Sequence, residues 1–508
     1  MAMTETRPAP PAPAEAAVEV VPSDPPGLAG WLMTSDHRRI GRLWIAASLL
    51  FLLVGSVLGS VLGLERVESG LDILDRGSFG QVYTLHGEIT VLLFLVPLIL
   101  GIATFVVPLQ VGSPEIAFPR GSATAFWLYL VSGVILVASY LADGGPTGPA
   151  SAHEAIDLWL LALIGILLAT AIALVSILTT IMAMRTAGLT LLRAPTFTWS
   201  VLVGGSLTLL TVPVLAARLV DMYVSHHFGA GLGSYSGEIG WFWSVPQVYL
   251  LVVPAAGVAL EIVPTLARNR FRVHAVALIL LGMLGVLGIG AWAQVPTTFD
   301  DLLYVAIGIA PVLPALALLG LAGDTLRGGH PALKAPLLFA MGTLLLLLLG
   351  AVAGALLVID PLDLHGTVWE AGQMHLLLAG AATLGGLGAL WWWAPKLWGM
   401  RLPEGAGVLA FLATFFGALL LAVPDLVNGL ANDLEIGVTT FDDGGSVKAL
   451  NGVSAAGGIL VALGALIAIL AVLSTARRRG RAGAADDPWG GQTLEWNDAA
   501  LGTAEATA

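Results

Sequence analysis

The chain contains no cysteine. That excludes a disulfide, a cysteine-held iron–sulfur cluster, a thiolate haem ligand and a thioether-attached haem from this polypeptide. It also leaves the compartment unread from cysteine usage. Charge is scarce: 11% of the 508 residues are Asp, Glu, Lys or Arg, against about 25% in a soluble domain. The charge present is acidic in balance, 34 carboxylates to 22 Lys and Arg for a net charge of -12, which implies no nucleic-acid partner. Histidine is sparse too, nine in the whole chain, and where those nine fall governs the functional reading.

What fills the chain instead is apolar: 57% of residues are hydrophobic. Apolar runs recur along its length, each near the ~20 residues that cross a bilayer. About twelve helical spans are predicted, over 41–63, 83–110, 122–143, 156–184, 198–220, 241–266, 272–296, 302–323, 335–359, 373–398, 405–430 and 454–476. The fold class is therefore all-α, a polytopic membrane bundle. Three regions are expected: an N-terminal tail (1–30), a twelve-helix membrane domain (31–480) and a C-terminal tail (481–508). The Pro/Ala-rich N-terminal stretch has no apolar segment before Gly27, so no cleaved signal peptide is expected, and disorder is. The Gly/Ala/Asp-rich C-terminal tail is expected to lie loosely on the surface.

Loop charge sets the expected orientation. Arg38, Arg39 and Arg42, Arg120, Arg185 and Arg193, Arg268 to Arg272, Arg327 and Lys334, Lys396 and Arg401, and Arg477 to Arg481 fall on alternate loops. The intervening loops hold few cations, mainly Arg66, Arg76 and Lys448, and collect Asp300, Asp301, Asp360 and Asp363. By the positive-inside rule both termini are cytoplasmic. Spans two and ten then run from outside to inside. His86, in Tyr83-Thr84-Leu85-His86-Gly87-Glu88, and His375, in Trp369-Glu370-Ala371-Gly372-Gln373-Met374-His375, both lie near the outer starts of their spans. Two imidazoles at one depth on separate helices can hold one iron from both sides. They can equally be interhelical hydrogen-bonding groups, although intramembrane ionisable residues default to function. His37, His153, His226, His227, His274, His330 and His365 are all expected in loops or at span ends.

Longer motifs decide between these readings. From Tyr83 to Trp127 the chain reads Leu85-His86-Gly87, Val107-Pro108-Leu109, Gly112-Ser113-Pro114-Glu115-Ile116-Ala117-Phe118-Pro119-Arg120 and Phe126-Trp127. Ser35-Asp36-His37-Arg38-Arg39-Ile40-Gly41 precedes the first span, and Pro246-Gln247-Val248-Tyr249 lies in the sixth. Trp391-Trp392-Trp393-Ala394-Pro395-Lys396 closes the tenth, and Pro488-Trp489-Gly490-Gly491-Gln492-Thr493-Leu494-Glu495-Trp496 ends the set. In order and in register with twelve spans, these closely resemble subunit I of the haem-copper oxidases, the cytochrome c oxidase type.

The resemblance implies that His86 and His375 are the axial ligands of a low-spin haem. It also implies a lost second centre. The high-spin haem ligand falls at Gln373, and the three copper-binding histidines fall at Val245, Gln294 and Val295. Copper wants imidazole or sulfur donors, and valine offers none. The family's titrating carboxylate falls at Gln247, and its tyrosine beside the copper is Tyr249, expected here only to pack. The lysine of the eighth span falls near Ala315, the paired propionate-binding arginines near Asn432-Asp433, and the formyl-gripping arginine near Gly63, which favours haem b over haem a. Glu115 is read as a solvated loop acid before a channel-mouth acid, Trp391 to Trp393 as an interior or interfacial belt, and His365 as a surface or propionate-contacting residue.

The resulting expectation is one low-spin haem, no copper, and a membrane electron-transfer or structural subunit of a cytochrome c oxidase-like complex. It would stand in a bacterial or archaeal-type plasma membrane beside subunits II- and III-like, served by cytochrome c or quinol. An active terminal oxidase with atypical ligands, and a haem-free scaffold, are the alternatives.

Overall fold

In lipid a backbone must satisfy its own N–H and C=O groups, so apolar stretches of this length coil into helices. The computed structural model describes residues 27–67, 73–229, 231–232, 245–294, 302–431, 445–478 and 487–497. Among them no strand occurs. Twelve helices are long and apolar enough to cross a membrane: α1 (His37–Glu65), α2 (Gly77–Val111), α3 (Pro119–Leu141), α4 (His153–Ala183), α5 (Thr196–His227), α6 (Gln247–Ala267), α7 (His274–Gln294), α8 (Leu302–Arg327), α9 (Ala335–Leu357), α10 (Val368–Trp398), α11 (Glu404–Leu430) and α12 (Gly445–Ala476). The count matches the sequence reading. The main boundary shifts are α5, which continues to His227, and α10 and α12, which start earlier, at Val368 and Gly445.

Residues up to Thr34 form a separate unit, whose described part holds a five-residue helix, Leu28–Leu32. From Ser35 onward the chain is one compact unit. Within it α1 packs on α2 and on α12, and α11 packs along α12. Three spans are enclosed most by their neighbours: α2 (78%), α6 (83%) and α10 (78% of the apolar window buried), against 28% for α8. These inner three carry His86, Tyr249 and His375, so the candidate site lies in the middle of the bundle rather than toward lipid. The ends of odd-numbered spans and the starts of even-numbered ones share one side, called here the His86 face.

Most of the expected tails (1–30 and 481–508), and Val295, Asn432 and Asp433, lie outside the described residues. Residues 487–497 depart from the expectation of a loose tail. Trp489 stacks on Trp392 with ring centroids 5.6 Å apart, Trp489 Nε1 donates to the Trp392 carbonyl at 2.9 Å, and Trp496 meets Trp392 edge-on at 5.5 Å. Aromatic surface buried on a span end outweighs the Gly-rich composition that suggested looseness. The triplet Trp391 to Trp393 is interior, each no more than 1% exposed.

Candidate haem-binding site

Helix α2 begins on the cap of Asp75, whose Oδ1 accepts the Ser78 N–H at 2.7 Å. That bond holds the exposed Asp75 carboxyl below its usual range. The helix runs regularly to Glu88 and then widens into a π-helix over Ile89–Leu95. Pro97 follows without an N–H to give, and the Leu93 carbonyl is taken by the Tyr129 hydroxyl at 2.9 Å. Helix α10 has the same device: a short α-helix over Val368–Met374 opens into a π-helix over His375–Ala382. Single π segments inside membrane helices cluster at functional sites because they re-aim side chains. Here they begin three residues after His86 and at His375 itself.

His86 is anchored on α1. Its Nδ1 lies 2.9 Å from the Gly55 carbonyl oxygen. A carbonyl can only accept, so Nδ1 carries the proton and Nε2 is the free lone pair, the tautomer a metal needs. One turn further along α1 stands Gly59, where a Cβ would sit 2.8 Å from His86 Cε1. Glycine there gives the imidazole room to lie flat on α1.

His375 is anchored on α11. Its Nδ1 is 3.5 Å from Oδ2 of Asp425, within ion-pair reach though long for a hydrogen bond. Asp425, wholly buried, is held by Arg66 at 3.1 Å. Asn451 continues the network: its Oδ1 lies 3.4 Å from Arg66 Nη2 and 3.1 Å from Asn428 Nδ2, and its Nδ2 donates to the Arg66 carbonyl at 3.0 Å. The network joins α1, α10, α11 and α12 at the His86 face. The π segments of α2 and α10, which follow His86 and begin at His375, touch. The sequence reading missed Asp425 and Asn451 and took Arg66 only as a loop cation. The available signal was a lone carboxylate inside an apolar run, next to Pro424.

This arrangement fits a haem iron. His86 fixes Nδ1 by a hydrogen bond to a carbonyl, His375 turns Nδ1 toward the Asp425 carboxylate at ion-pair distance, and both stand on the inner spans. Orienting oxygens of this kind accompany almost every metal-ligating histidine.

Two of the positions where the resemblance puts ligands of a second centre, Gln373 and Gln294, meet as well. Gln373 and Gln294, 0% and 1% exposed, are joined by Gln373 Nε2 donating to Gln294 Oε1 at 3.1 Å. Tyr249 donates its hydroxyl to the same Oε1 at 3.1 Å, and Gln294 Nε2 donates to the Gly308 carbonyl at 2.6 Å. Gly354 of α9 closes the cluster: a Cβ there would collide with Gln373 Nε2 and stand 2.5 Å from Gln294 Oε1 and 2.7 Å from the Tyr249 oxygen. Two amides and a phenol thus bond one another on a glycine floor, while the buried Gln373 Oε1 has no hydrogen-bond partner. The expectation that Tyr249 only packs needs correction, since its hydroxyl belongs to this network. Val245 opens the helix that carries Tyr249.

The remaining candidates disperse. Gln247 donates to Thr211 Oγ1 at 2.5 Å and lines a small apolar cavity between α2, α4, α5 and α6. Ala315 is buried in α8 and Gly63 is buried in α1. His365 sits 3.2 Å from Glu370 Oε1 at the start of α10. Glu115 is exposed and lines an open depression with Ser35, Phe118 and Arg120.

Twelve helices long and apolar enough to cross a membrane, with an imidazole on each of the two π-bearing inner spans, define an integral membrane protein suited to haem. Residues 39–460 match the model of the family described as Cytochrome C and Quinol oxidase polypeptide I, and the chain belongs to that family. A Streptomyces avermitilis protein named for subunit 1-beta of cytochrome c oxidase is 30% identical over 511 residues, covering 95% of this chain and 90% of the relative. The cytochrome c oxidase subunit 1 proteins of Corynebacterium efficiens and Corynebacterium glutamicum are each 28% identical over 502 residues, covering 92% of this chain and 85% of theirs.

Proposed function

We propose that this chain is a membrane electron-transfer or structural subunit of a cytochrome c oxidase-like complex, binding one low-spin haem through His86 and His375 and lacking an oxygen-reducing haem-copper centre. The observation that carries the proposal is the closed cluster of Tyr249, Gln294 and Gln373 over Gly354. An amide is a poor donor to haem iron and to copper, and these amides already serve one another. Family membership alone does not restore a site; function is argued from the groups present.

A bound haem supplies a one-electron iron couple. Gly55 and Asp425 orient the two imidazoles, Arg66 offsets the Asp425 charge, and the enclosing spans exclude water, all of which set the potential. The absence of a charged residue at Gly63 favours haem b over haem a. Gln247 cannot titrate, so the chain is read as one that does not pump protons through that position. The loop cations support cytoplasmic termini, which puts the His86 face outside. Subunits II- and III-like, with cytochrome c or quinol as donor, are the partners this reading implies.

The names of the relatives favour a second reading, an active terminal oxidase with atypical ligands. One preparation separates the two. A pyridine haemochrome assay with copper quantitation on the purified protein is expected to give one haem b and less than about one copper per ten chains, for want of a cluster of imidazole or sulfur donors. The reduced protein should show a six-coordinate low-spin spectrum and no carbon monoxide difference spectrum, because carbon monoxide needs an open iron position. His86→Ala and His375→Ala should each abolish the low-spin signal. A carbon monoxide spectrum from this polypeptide would promote the oxidase reading. Absence of haem altogether would leave a scaffold.

A further inference from the structure

Away from the paired imidazoles, four titratable side chains meet where α4 begins and α5 ends, on the His86 face. Asp157 takes His226 Nδ1 on Oδ1 and His227 Nδ1 on Oδ2, each at 2.7 Å. His153, one turn before Asp157 on α4, brings Nε2 to 3.8 Å from the same Oδ2. The His153 ring stacks on His226 at 4.3 Å, and Tyr223 stacks on His227 at 5.5 Å. The four side chains divide by exposure: Asp157 (11%) and His226 (9%) are enclosed, while His153 (43%) and His227 (46%) are open. Nothing in the proposed haem chemistry uses them.

We propose that His153, Asp157 and His227 bind a divalent transition-metal ion of the zinc class, with His226 as a positioning residue for the carboxylate. One ligand atom from each of the three lies within 4.8 Å of the others. A tetrahedral zinc with bonds of about 2.0–2.1 Å needs its ligand atoms roughly 3.3 Å apart. The adjustment falls on His153 and His227, the two half-exposed rings: His227 exchanges its Nδ1–H bond to Asp157 for the ion, its proton passing to solvent, and His153 shifts on the His226 ring. Two imidazoles and one carboxylate are borderline donors, suited to Zn2+, Co2+ or Ni2+ and unsuited to Mg2+ or Ca2+, which take oxygen. Three protein ligands leave a position for water. His226 holds Asp157 Oδ1 from the buried side, the outer-ligand role that fixes a carboxylate's aim. The bound ion would tie the start of α4 to the end of α5.

The test uses the full-length purified protein, stripped with chelator and titrated with Zn2+ alone, with bound metal counted after dialysis. One zinc per chain is expected. His153→Ala, Asp157→Asn and His227→Ala should each weaken binding at least about 100-fold, and His226→Asn about 10-fold, in line with outer-ligand losses of ~10–100-fold. Unchanged stoichiometry and affinity in both His153→Ala and His227→Ala would overturn the site, as would no zinc retained by the parent chain. A second variant reads the geometry directly. Because the chain has no cysteine, His153→Cys introduces its one thiolate, and Co2+ should then give a thiolate-to-cobalt charge-transfer band. Folded His153→Cys protein that shows no such band with Co2+ would likewise overturn the proposal. Haem content is expected to be the same in all variants, so this result stands or falls apart from the haem reading.

Discussion

Asp425→Asn removes one charge from a buried pair while keeping the side chain's shape. In the parent, Asp425 and Arg66 stand 3.1 Å apart with side chains 0% and 13% exposed. At an effective dielectric of about 20, two unit charges at that distance attract by about 5 kcal/mol. The cost of burying both ions cancels much of that, but removing one partner strands the other, and broken buried pairs cost about 3–5 kcal/mol. Arg66 keeps Asn451 Oδ1 at 3.4 Å, so the loss should lie at the lower end, about 3 kcal/mol. The assay is a temperature ramp in detergent followed by size-exclusion, reading the midpoint for loss of monodisperse protein. Asp425→Asn should fall well below the parent. The double variant Arg66→Met/Asp425→Leu should regain most of the loss, since an absent pair costs less than half a pair. The haem adds a second readout. Losing a negative charge beside the His375 imidazole disfavours ferric iron, so the midpoint potential should rise in Asp425→Asn. A parent-like midpoint temperature, a double variant no better than the single one, or a potential that falls would refute the assignment of Asp425 as the charge behind His375.

Gly354→Ala places a methyl among Gln373, Gln294 and Tyr249; overpacking of this kind costs about 1–3 kcal/mol, so the same ramp should show destabilisation with haem content unchanged, and parent-like stability would show the cluster to be loose. The docked tail should respond to pH. Burial pushes the Glu495 carboxyl up, against the bonds from Gln110 Nε2 at 2.9 Å and Trp393 Nε1 at 3.2 Å. A raised carboxyl contributes docking that is full below the unfolded value near ~4.3 and is lost as pH rises through the folded value. A spin label on Asn497→Cys, the lone cysteine it would create, should therefore grow more mobile as pH rises, and Glu495→Gln should flatten the change; a label equally immobile across the range would contradict it.

Much of the bundle was legible because hydropathy is read over about twenty residues at a time, and no local feature can hide a run such as Leu337 to Leu357. Span ends were less so. Helix α5 continues past Val220 through Asp221, His226 and His227, polar residues that a hydropathy average discounts but that pair with Arg218 and with Asp157. His86 and His375 could be found because an imidazole in an apolar run stands out. Asp425 stands out by the same rule, yet nothing in the linear order ties it to His375, fifty residues away, or to Arg66 on the first span. The tail was misread for a related cause: Gly490 and Gly491 suggest looseness, while the partner of Trp489 and Trp496 is Trp392, known only once the helices are packed.

The two halves of the candidate site bear on each other. At His86 and His375 each ring is oriented by an oxygen on a different helix, Gly55 on α1 and Asp425 on α11, and each helix departs from α geometry to present it. Such departures carry a cost in backbone regularity that packing alone gives no reason to keep. At Gln373, two residues before His375 on the same helix, the side chain instead turns into a neutral network, bonded through Nε2 to Gln294 with its Oε1 left without a hydrogen-bond partner. One imidazole stands against a buried, arginine-compensated carboxylate, while two residues earlier on the same helix stands an amide. Under the proposed reading, one bis-histidine haem and no second centre, this asymmetry is the expected arrangement.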